Sequence, residues 1–221
     1  ISAHTGATRI DSWVDIEGGT GTLFAYAGMA ASELPSGNLI HEGPVGSLGK
    51  KNTFAGTHIL VPRGGVAVHI NAFNFPIWGM LEKIAVNLMA GVPAIVKPSE
   101  HTSYLTEVMV RDIIASKILP EGSLQLVVGL GRGILDYVDS QDVVTFTGSA
   151  FSGRKLKSLP QFTERSVPFN LEADSLNASI NLSLFASLIG LSSLFVSFIS
   201  CLISSLICSR SIFSNRNLIA S

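Results

Sequence analysis

The chain has 221 residues, enough for one large domain or two small ones, and it is 47% hydrophobic but only 14% charged. Its net charge of −1 and pI near 6.6 give no electrostatic reason to expect binding to nucleic acid or to an anionic membrane. Both cysteines, Cys201 and Cys208, lie near the C-terminus, which excludes a disulfide framework and a cysteine metal site elsewhere. No signal peptide is visible and the first residue is not methionine, so we expect a cytoplasmic protein and a fragment of a longer one.

Residues 1–64 are predicted to form a partial helix and a β arm that precede the main domain. Residues 1–21 follow no clear pattern, although SWVDIE indicates either the end of a helix or an edge strand. Residues 22–34 carry apolar residues and alanines at helical spacing before Pro35, which predicts a helix. Residues 38–63 alternate polar and apolar side chains between glycines, which predicts two or three strands or a hairpin.

From Gly65 onward the chain alternates predicted strands with predicted helices. This alternation predicts an α/β fold with a Rossmann-like parallel sheet and helices on both faces, whose ligands bind outside the carboxyl ends of the strands. Thr102 is the expected N-cap of the second helix. The predicted strands are residues 66–70, 94–96, 124–128, 143–146 and 166–171, and the predicted helices are residues 78–89, 102–116 and 133–138 and one that begins at Ser149.

The stretch DVVTFTGSAFSG is the clearest candidate for an anion site. Gly148 is expected to end a buried strand and Ser149 to cap the next helix, an order that places phosphate at a helix N-terminus. The spacing from Gly148 to Gly153 resembles the phosphate loop G-x-x-x-x-G-K-[ST], but Arg154 stands at the lysine position and Lys155 replaces the hydroxyl residue. A nucleotide triphosphatase is therefore disfavoured.

Three other predicted strand ends carry polar groups, and each has two interpretations. Asn74 can donate a hydrogen bond to an oxyanion, or it simply favours a turn before Pro76. Lys97 and Glu100 can bind ribose hydroxyls, or they form a solvated salt bridge worth about 0–1 kcal/mol. Glu172 can act as a general base if partial burial raises its pKa, or it is a loop carboxylate that faces water.

The order of these motifs resembles the aldehyde dehydrogenase superfamily. FNFP around Asn74, KPSE from Lys97, FTGS from Phe146 and LEADSLN around Glu172 carry the resemblance, which covers residues 38–180. The wider segments HINAFNFPIWGMLEKIA and VPFNLEADSLN are similar to the branch that works in aerobic phenylacetate degradation and to the related semialdehyde dehydrogenase of the benzoyl-coenzyme A pathway. The resemblance implies a partial cofactor-binding domain over residues 65–180.

The resemblance also implies a role for each residue. Asn74 would be the side-chain donor of the oxyanion hole, and Glu172 would be the general base that activates water against a thioester. Lys97 and Glu100 would hold the adenosine ribose, and Ser149 would donate to the pyrophosphate. The other cofactor-binding residues implied are Phe146, Thr147, Gly148 and Gly153.

The implied cofactor is NAD or NADP, and the carboxylate of Glu100 favours NAD because it would repel a 2′-phosphate. The implied substrate is a small aldehyde, in this branch a coenzyme A-linked semialdehyde that is oxidised to the acid. No metal is implied, and a full-length member of the family is expected to be a homo-oligomer. A hydratase-type domain often accompanies this branch.

The chain departs from the family at the nucleophile. The reaction needs a cysteine thiolate, and no G-Q-x-C-type segment follows Glu172. Cys201 lies in SFISCLISSL, and apolar surroundings tend to raise a thiol pKa and make the thiol inert. We therefore expect this chain to lack the catalytic cysteine and to be inactive.

Residues 181–221 form a tail rich in Ser, Leu, Ile and Phe, for which three interpretations remain open. Residues 182–208 are uncharged and long enough to span a bilayer, although their serines disfavour a membrane helix. The tail is otherwise a packing segment, or sequence that is not native to the protein. The three candidate functions are therefore an aldehyde dehydrogenase or a fragment of one, an inactive dinucleotide-binding module, and a membrane-anchored protein if the tail is genuine.

Overall fold

The N-terminal region contains one long helix, α1 (Arg9–Glu33), and an antiparallel hairpin of strands β1 (Ile40–Leu48) and β2 (Phe54–Leu60). The hairpin confirms one of the interpretations of residues 38–63. The tail from residue 181, with Cys201 and Cys208, lies outside the described residues. The computed structural model of the chain describes residues 5–35, 37–131 and 133–174.

Helix α1 begins well before the predicted start at residue 22, so the irregular interpretation of residues 1–21 is wrong from Arg9 onward. The SWVDIE run belongs to its first turns. Thr8 caps the helix, because its Oγ1 accepts a hydrogen bond from the backbone N–H of Asp11 at 3.1 Å. Glycine is about 1 kcal/mol less favourable than alanine inside a helix, which explains why the sequence did not predict one here. The glycines of α1 are Gly18, Gly19, Gly21 and Gly28.

The rest of the described chain alternates strands and helices, which confirms the predicted α/β pattern. The strands are β3 (Ala67–Ile70), β4 (Ala94–Lys97), β5 (Leu124–Leu126), β6 (Val143–Gly148) and β7 (Phe169–Ala173). The helices are α2 (Trp78–Met89), α3 (Ser103–Ala115), a 3₁₀ turn (Ile134–Tyr137), α4 (Ala150–Lys157) and α5 (Pro160–Glu164).

Several predicted boundaries are wrong. Strand β6 ends at Gly148, as expected, but it extends two residues past its predicted last residue Phe146, and Glu172 lies within β7 rather than in the loop after it. Thr102 is the N-cap residue of α3, as predicted, but its hydroxyl makes no capping bond and donates instead to the carbonyl of Phe73 at 3.3 Å. Helix α5 was not predicted, and it begins at Pro160, a residue whose fixed φ suits the first helical position.

The five strands β3 to β7 form one parallel sheet with the order β5-β4-β3-β6-β7. The chain moves outward from β3 to β5 and then returns to the other side of β3 for β6 and β7. This reversal makes a topological switch point between β3 and β6, where the carboxyl ends of adjacent strands open a crevice. Ile70 pairs with Lys97 on one side and with Phe146 on the other, so these residues mark that edge.

Two apolar clusters cover the two faces of the sheet. On β4, Ala94 and Val96 belong to the cluster shared with α2 and α3, while Ile95 packs against the other cluster. That second cluster includes Val68 and Val144 from the central strands and side chains from the 3₁₀ turn and the α4–α5 region. Alternation along the strands therefore places helices on both faces, as the sequence predicted.

Helix α1 packs closely on the start of α2 because glycine lies at the contact. A Cβ atom on Gly19 would lie 2.9 Å from the Leu81 side chain and 3.0 Å from Cα of Trp78. A Cβ atom on Gly18 would collide with the Trp78 ring. Two of the glycines that hid the helix in the sequence, Gly18 and Gly19, thus let the two helices meet.

Asp15 joins the same two helices by capping α2. Ile77 precedes α2 and its own side chain makes no capping bond. The Asp15 carboxylate instead accepts from the backbone N–H groups of Trp78 at 2.7 Å and Ile77 at 3.3 Å. Burial raises the pKa of Asp15, although the two backbone hydrogen bonds lower it. Helix α1 therefore fixes the position where α2 begins.

Within residues 5–35, 37–131 and 133–174, no helix combines the length and apolar character needed to cross a bilayer.

Candidate functional site

A cleft of about 220 Å³ opens at the switch point between β3 and β6. The loop after β3 and the first two turns of α2 form most of its wall, and Thr147 of β6 contributes the remaining side. Apolar and polar groups therefore share one small volume at the predicted edge of the sheet. The lining residues are Asn71, Ala72, Asn74, Phe75, Trp78, Gly79, Glu82, Lys83 and Thr147.

Asn74 lies in the β3–α2 loop, which Thr102, just before α3, and Thr106, within α3, hold on either side of it. The Thr102 hydroxyl donates to the carbonyl of Phe73 at 3.3 Å, and the Thr106 hydroxyl donates to the carbonyl of Pro76 at 3.1 Å. Both threonines are buried. The loop is therefore anchored from below while the Asn74 side chain lines the cleft.

Glu172 reaches the edge of the same cleft from β7. Its Oε2 accepts a hydrogen bond from the Thr147 hydroxyl at 2.8 Å and lies 3.4 Å from Nζ of Lys83. The Glu172 side chain is 47% exposed, whereas that of Lys83 is only 8% exposed and also contacts Glu82 at 3.0 Å. The structure thus brings Thr147 and Glu172 together, and it adds a nearly buried ammonium group.

Lys83 was not predicted as a site residue. Its contact with Glu172 joins residues 89 positions apart, a distance that no local pattern reveals. The signal available in the sequence was the Glu82-Lys83 pair inside a mostly apolar helix, because charged residues are seldom buried without partners.

Lys97 and Glu100 form a close ion pair at the carboxyl end of β4. Nζ lies 2.6 Å from Oε1, with the Lys97 side chain 10% exposed and that of Glu100 43% exposed. The hydrogen bond from Lys97 is the main cause that lowers the pKa of Glu100. Gly131, in the loop after β5, has a φ of +60° and passes over the Lys97 stem, where a Cβ would lie 3.1 Å from Cγ. The predicted pair is therefore present and covered by a glycine loop.

The N-terminus of α4 is formed as predicted, but a carboxylate already occupies part of it. Ser149 is the N-cap, and its Oγ accepts from the backbone N–H of Ser152 at 3.1 Å. The backbone N–H of Ala150 donates to Oδ1 of Asp174 at 2.8 Å, while the N–H of Asp174 donates to the carbonyl of Gly148 at 3.0 Å. Two of the N–H groups that could bind an anion are therefore already in use.

The remaining predicted residues of this stretch shape the turn between β6 and α4. Gly153 lies on the buried face of α4, where any side chain would collide with Leu171 of β7. A Cβ on Gly148 would lie 2.7 Å from the Phe146 ring, which is itself buried. Close packing accounts for glycine at both positions.

A second buried polar group lies beneath the cleft and was also missed. Ring nitrogens of His69 lie 2.8 Å from the Thr145 hydroxyl and 2.7 Å from Oδ1 of Asn87, and Nδ2 of Asn87 donates to the carbonyl of Val92 at 2.6 Å. Burial lowers the pKa of His69 to about 4, so the ring is neutral near pH 7. This network joins β3, β6 and α2. In the part of the chain that the structure describes, no three His, Cys, Asp or Glu side chains cluster as a metal site requires.

Residues 1–183 match the Aldehyde dehydrogenase family. A stretch of 177 residues, 80% of the chain, is 44% identical to a 3,4-dehydroadipyl-CoA semialdehyde dehydrogenase from Aromatoleum evansii, and it covers 34% of that protein. A stretch of 117 residues, 52% of the chain, is 34% identical to a 2,5-dioxopentanoate dehydrogenase from Saccharolobus solfataricus, and it covers 24% of that protein. The chain thus spans about a third or less of these relatives.

Solved structures share the fold at lower sequence identity. A Staphylococcus aureus betaine aldehyde dehydrogenase in complex with NAD+ superposes with a TM-score of 0.62 at 23% identity, over 78% of this chain and 32% of that one. A Streptococcus pyogenes succinic semialdehyde dehydrogenase in complex with NADP+ gives a TM-score of 0.61 at 16% identity, over 78% of this chain and 35% of that one. These likenesses concern the fold alone.

Proposed function

Because this chain belongs to the aldehyde dehydrogenase family, we propose that it supplies the cofactor-binding part and two catalytic groups for the NAD- or NADP-dependent oxidation of an aldehyde to the acid. The observation that carries this proposal is the cleft between β3 and β6. There Asn74 lines the wall, and the Thr147 hydroxyl and the Lys83 ammonium group hold Glu172 at the rim.

The two proposed catalytic groups have different chemistry. The amide of Asn74 is a donor for the oxygen that becomes negatively charged when a nucleophile adds to the aldehyde, and loss of such a donor costs about 10² to 10³ in rate. Glu172 is the proton acceptor for water in the hydrolytic half-reaction. Thr147 and Lys83 both contact the same oxygen of Glu172, so they orient its carboxylate and leave the other oxygen free to face water.

The residues at the carboxyl edge fit a dinucleotide. Lys97 is a donor and Glu100 an acceptor for the ribose hydroxyls, and Ser149 provides a hydroxyl at the helix N-terminus for the pyrophosphate. When bound, the nicotinamide accepts hydride from the substrate. The carboxylate of Glu100 favours NAD over NADP because a 2′-phosphate beside it would be repelled.

The thiolate that the family requires is the missing part of this proposal. No G-Q-x-C-type segment follows Glu172, and Cys201 and Cys208 stand in an apolar Ser-rich tail. We therefore propose that this chain, by itself, binds the dinucleotide without turning over aldehyde. A dinucleotide-binding module without activity is the second candidate function, and the same absence favours it.

For the whole protein we propose a coenzyme A-linked semialdehyde from the breakdown of aromatic compounds as the substrate. The support is the 44% identity to the 3,4-dehydroadipyl-CoA semialdehyde dehydrogenase, which is well above the identity to the other relatives described. We also propose that the whole protein is a homo-oligomer and that it is located in the cytoplasm.

A nucleotide titration tests this function. NADH and NADPH are added to the purified chain while the reduced nicotinamide fluorescence is followed, and we expect saturable binding that is tighter for NADH. Lys97→Met should weaken binding about 10- to 100-fold, because a hydrogen bond from a charged group contributes about 1.5–3 kcal/mol. Arg111→Met is the control, since Arg111 is exposed and contacts only the neighbouring Glu107 among its described ion pairs.

Two results would contradict the proposal. Absence of saturable binding of either nucleotide would remove the cofactor role. Reduction of NAD+ in the presence of an aldehyde such as hexanal, with loss of that activity in Cys201→Ser, would show instead that the chain is a complete enzyme and that Cys201 is its nucleophile.

A further inference from the structure

Asn71 is a buried polar side chain without a partner. It follows β3 and is only 6% exposed, yet among the described residues neither its Nδ2 nor its Oδ1 has a hydrogen-bond partner. Burying an amide without such bonds is unfavourable, and native structures contain few examples. Asn71 lines the cleft, so its unpartnered amide lies beside a volume that can hold a ligand.

The contrast with Asn87 shows that this is a local property of Asn71. Asn87 is similarly buried, at 8% exposure, but its Oδ1 lies 2.7 Å from His69 and its Nδ2 donates to Val92 at 2.6 Å. The fold therefore can satisfy a buried amide on this face of the sheet. At Asn71 it leaves both atoms without a hydrogen-bond partner among the described residues.

The surroundings of Asn71 indicate a neutral hydrogen-bonding ligand. Two carboxylates, those of Glu82 and Glu172, contact the ammonium group of Lys83, so it leaves no excess positive charge to attract an anion. A carboxamide can both donate and accept, which matches water. The cleft volume of about 220 Å³ exceeds the roughly 30 Å³ that one water occupies in the liquid.

We propose that Asn71 is a positioning residue that binds water in the cleft and holds it next to Glu172. Nδ2 donates to water and Oδ1 accepts from it, which satisfies the buried amide. The water site itself follows from the unpartnered amide and the cleft, whereas its purpose, to supply the water for the hydrolytic half-reaction, rests on the proposed function.

Solution NMR of the ¹⁵N-labelled chain tests the site. Magnetisation transfer from water to side-chain amide protons is recorded in a NOESY and a ROESY spectrum. A water–amide cross-peak whose sign differs between the two spectra identifies bound water, and one whose sign is the same in both identifies proton exchange. We expect the water cross-peaks of the Asn71 amide to have opposite signs in the two spectra. The Asn87 amide, which serves as the control, should show no bound-water signal. Asn71→Leu, or Asn71→Ser if the leucine variant does not fold, identifies the signals by removing them.

A second variant asks whether the water also touches the proposed base. Glu172→Gln should reduce the Asn71 water cross-peaks at least twofold, because one partner of the water has changed, while the exposed Glu107→Gln should leave them unaltered. Absence of bound-water signals at Asn71 would overturn the proposal. Signals of unchanged intensity in Glu172→Gln would identify a structural water that does not contact Glu172, and this result would overturn the proposal too.

The outcome is separable from that of the cofactor titration. A chain that fails to bind NADH but shows both NMR responses would contradict the proposed function and retain the water site. A chain that binds NADH without bound-water signals at Asn71 would contradict this inference alone.

Discussion

Buried polar groups beneath the sheet edge differ from the polar groups at the edge itself. Asp15 and His69, which support α2 and the central strands, are almost fully buried and have specific partners. At the carboxyl edge, Glu100 and Glu172 are almost half exposed, and the buried Asn71 side chain has no hydrogen-bond partner in the described part of the chain. His69 and Asn71 are only two residues apart, so the difference depends on what surrounds each side chain. A buried polar side chain whose hydrogen bonds are all made within the protein stabilises the fold. A polar side chain at the edge that lacks some of these bonds can bind a ligand.

The largest expected effect concerns the buried His69, and it is a dependence of the stability of the fold on pH. Burial lowers the pKa of His69 from its ordinary value of 6.5 to about 4. As the pH falls from 6.5 to about 4, the unfolded chain takes up a proton that the folded chain resists, so stability is present above pH 6.5 and is lost over this range. The loss from this group is up to about 3 kcal/mol. Urea unfolding between pH 4 and pH 7 measures it.

Variants separate His69 from the other titrating groups. His69→Gln, whose neutral amide can still donate and accept, should show a smaller fall in the free energy of unfolding between pH 6.5 and 4 than the unaltered chain. The exposed His58→Gln should follow the unaltered chain. If His69→Gln and the unaltered chain lose stability in parallel, His69 does not have the proposed depressed pKa.

The next effect tests the α1–α2 contact with two glycines of one helix. Gly19→Ala places a methyl group against Leu81 and the backbone of Trp78, and overpacking of this kind costs about 1–3 kcal/mol. Gly28→Ala meets nothing within 4 Å and should stabilise the chain by up to about 1 kcal/mol, because alanine is the better helix former. Thermal unfolding should therefore shift in opposite directions. Shifts of the same sign would mean that the helices do not meet at Gly19.

The smallest expected effect is a change in NADH affinity, and it concerns Asp174 at the carboxyl edge of the sheet. The Asp174 carboxylate lies at the N-terminus of α4, where the proposed pyrophosphate would add further negative charge. Asp174→Asn keeps an oxygen that can accept from Ala150 but removes the charge, so NADH should bind roughly two- to fivefold more tightly, which corresponds to about 0.3–1 kcal/mol. High salt should abolish the difference by screening.

The matched control is Glu121→Gln, in the loop before β5 and so at the opposite edge of the sheet. Its NADH affinity should equal that of the unaltered chain. Equal affinity of Asp174→Asn and the unaltered chain at low salt would mean that the carboxylate does not compete with the cofactor at this helix.

The sheet domain could be predicted from the sequence because its signals are local. β-branched runs between glycines placed all five strands to within a few residues, and motif order identified Lys97, Glu100, Thr147 and Ser149, which the structure does place at the carboxyl edge. Strand pairing extended β7 past Leu171, since Glu172 and Ala173 lie opposite Thr147 and Gly148. That pairing, invisible in the sequence, moved Glu172 from a loop into a strand.

The rest depended on contacts between distant residues. The glycines of α1 oppose a helix by local preference, and only contacts with Trp78 and Leu81 on another helix account for Gly18 and Gly19. Lys83 and Glu172 are 89 residues apart, and Asp15 and Trp78 are 63 apart. The unpartnered state of Asn71 is a property of its whole environment, so no pattern in the sequence could indicate it.

Helix α2 has a mechanical consequence for the proposed chemistry. It is held at its first turn by Asp15, at its second by the Lys83–Glu172 contact and at its third by the Asn87–His69 bond. Three attachments at different heights along a rod of about 18 Å leave it little freedom to slide, tilt or roll. The helix therefore works as a rigid spacer between the β3 loop and β7. It keeps constant the separation of the Asn74 amide, which lines the cleft, and the Glu172 carboxylate, which contacts Thr147 and Lys83 of the cleft wall. A misplacement of about 1 Å between such groups costs about 100-fold in rate.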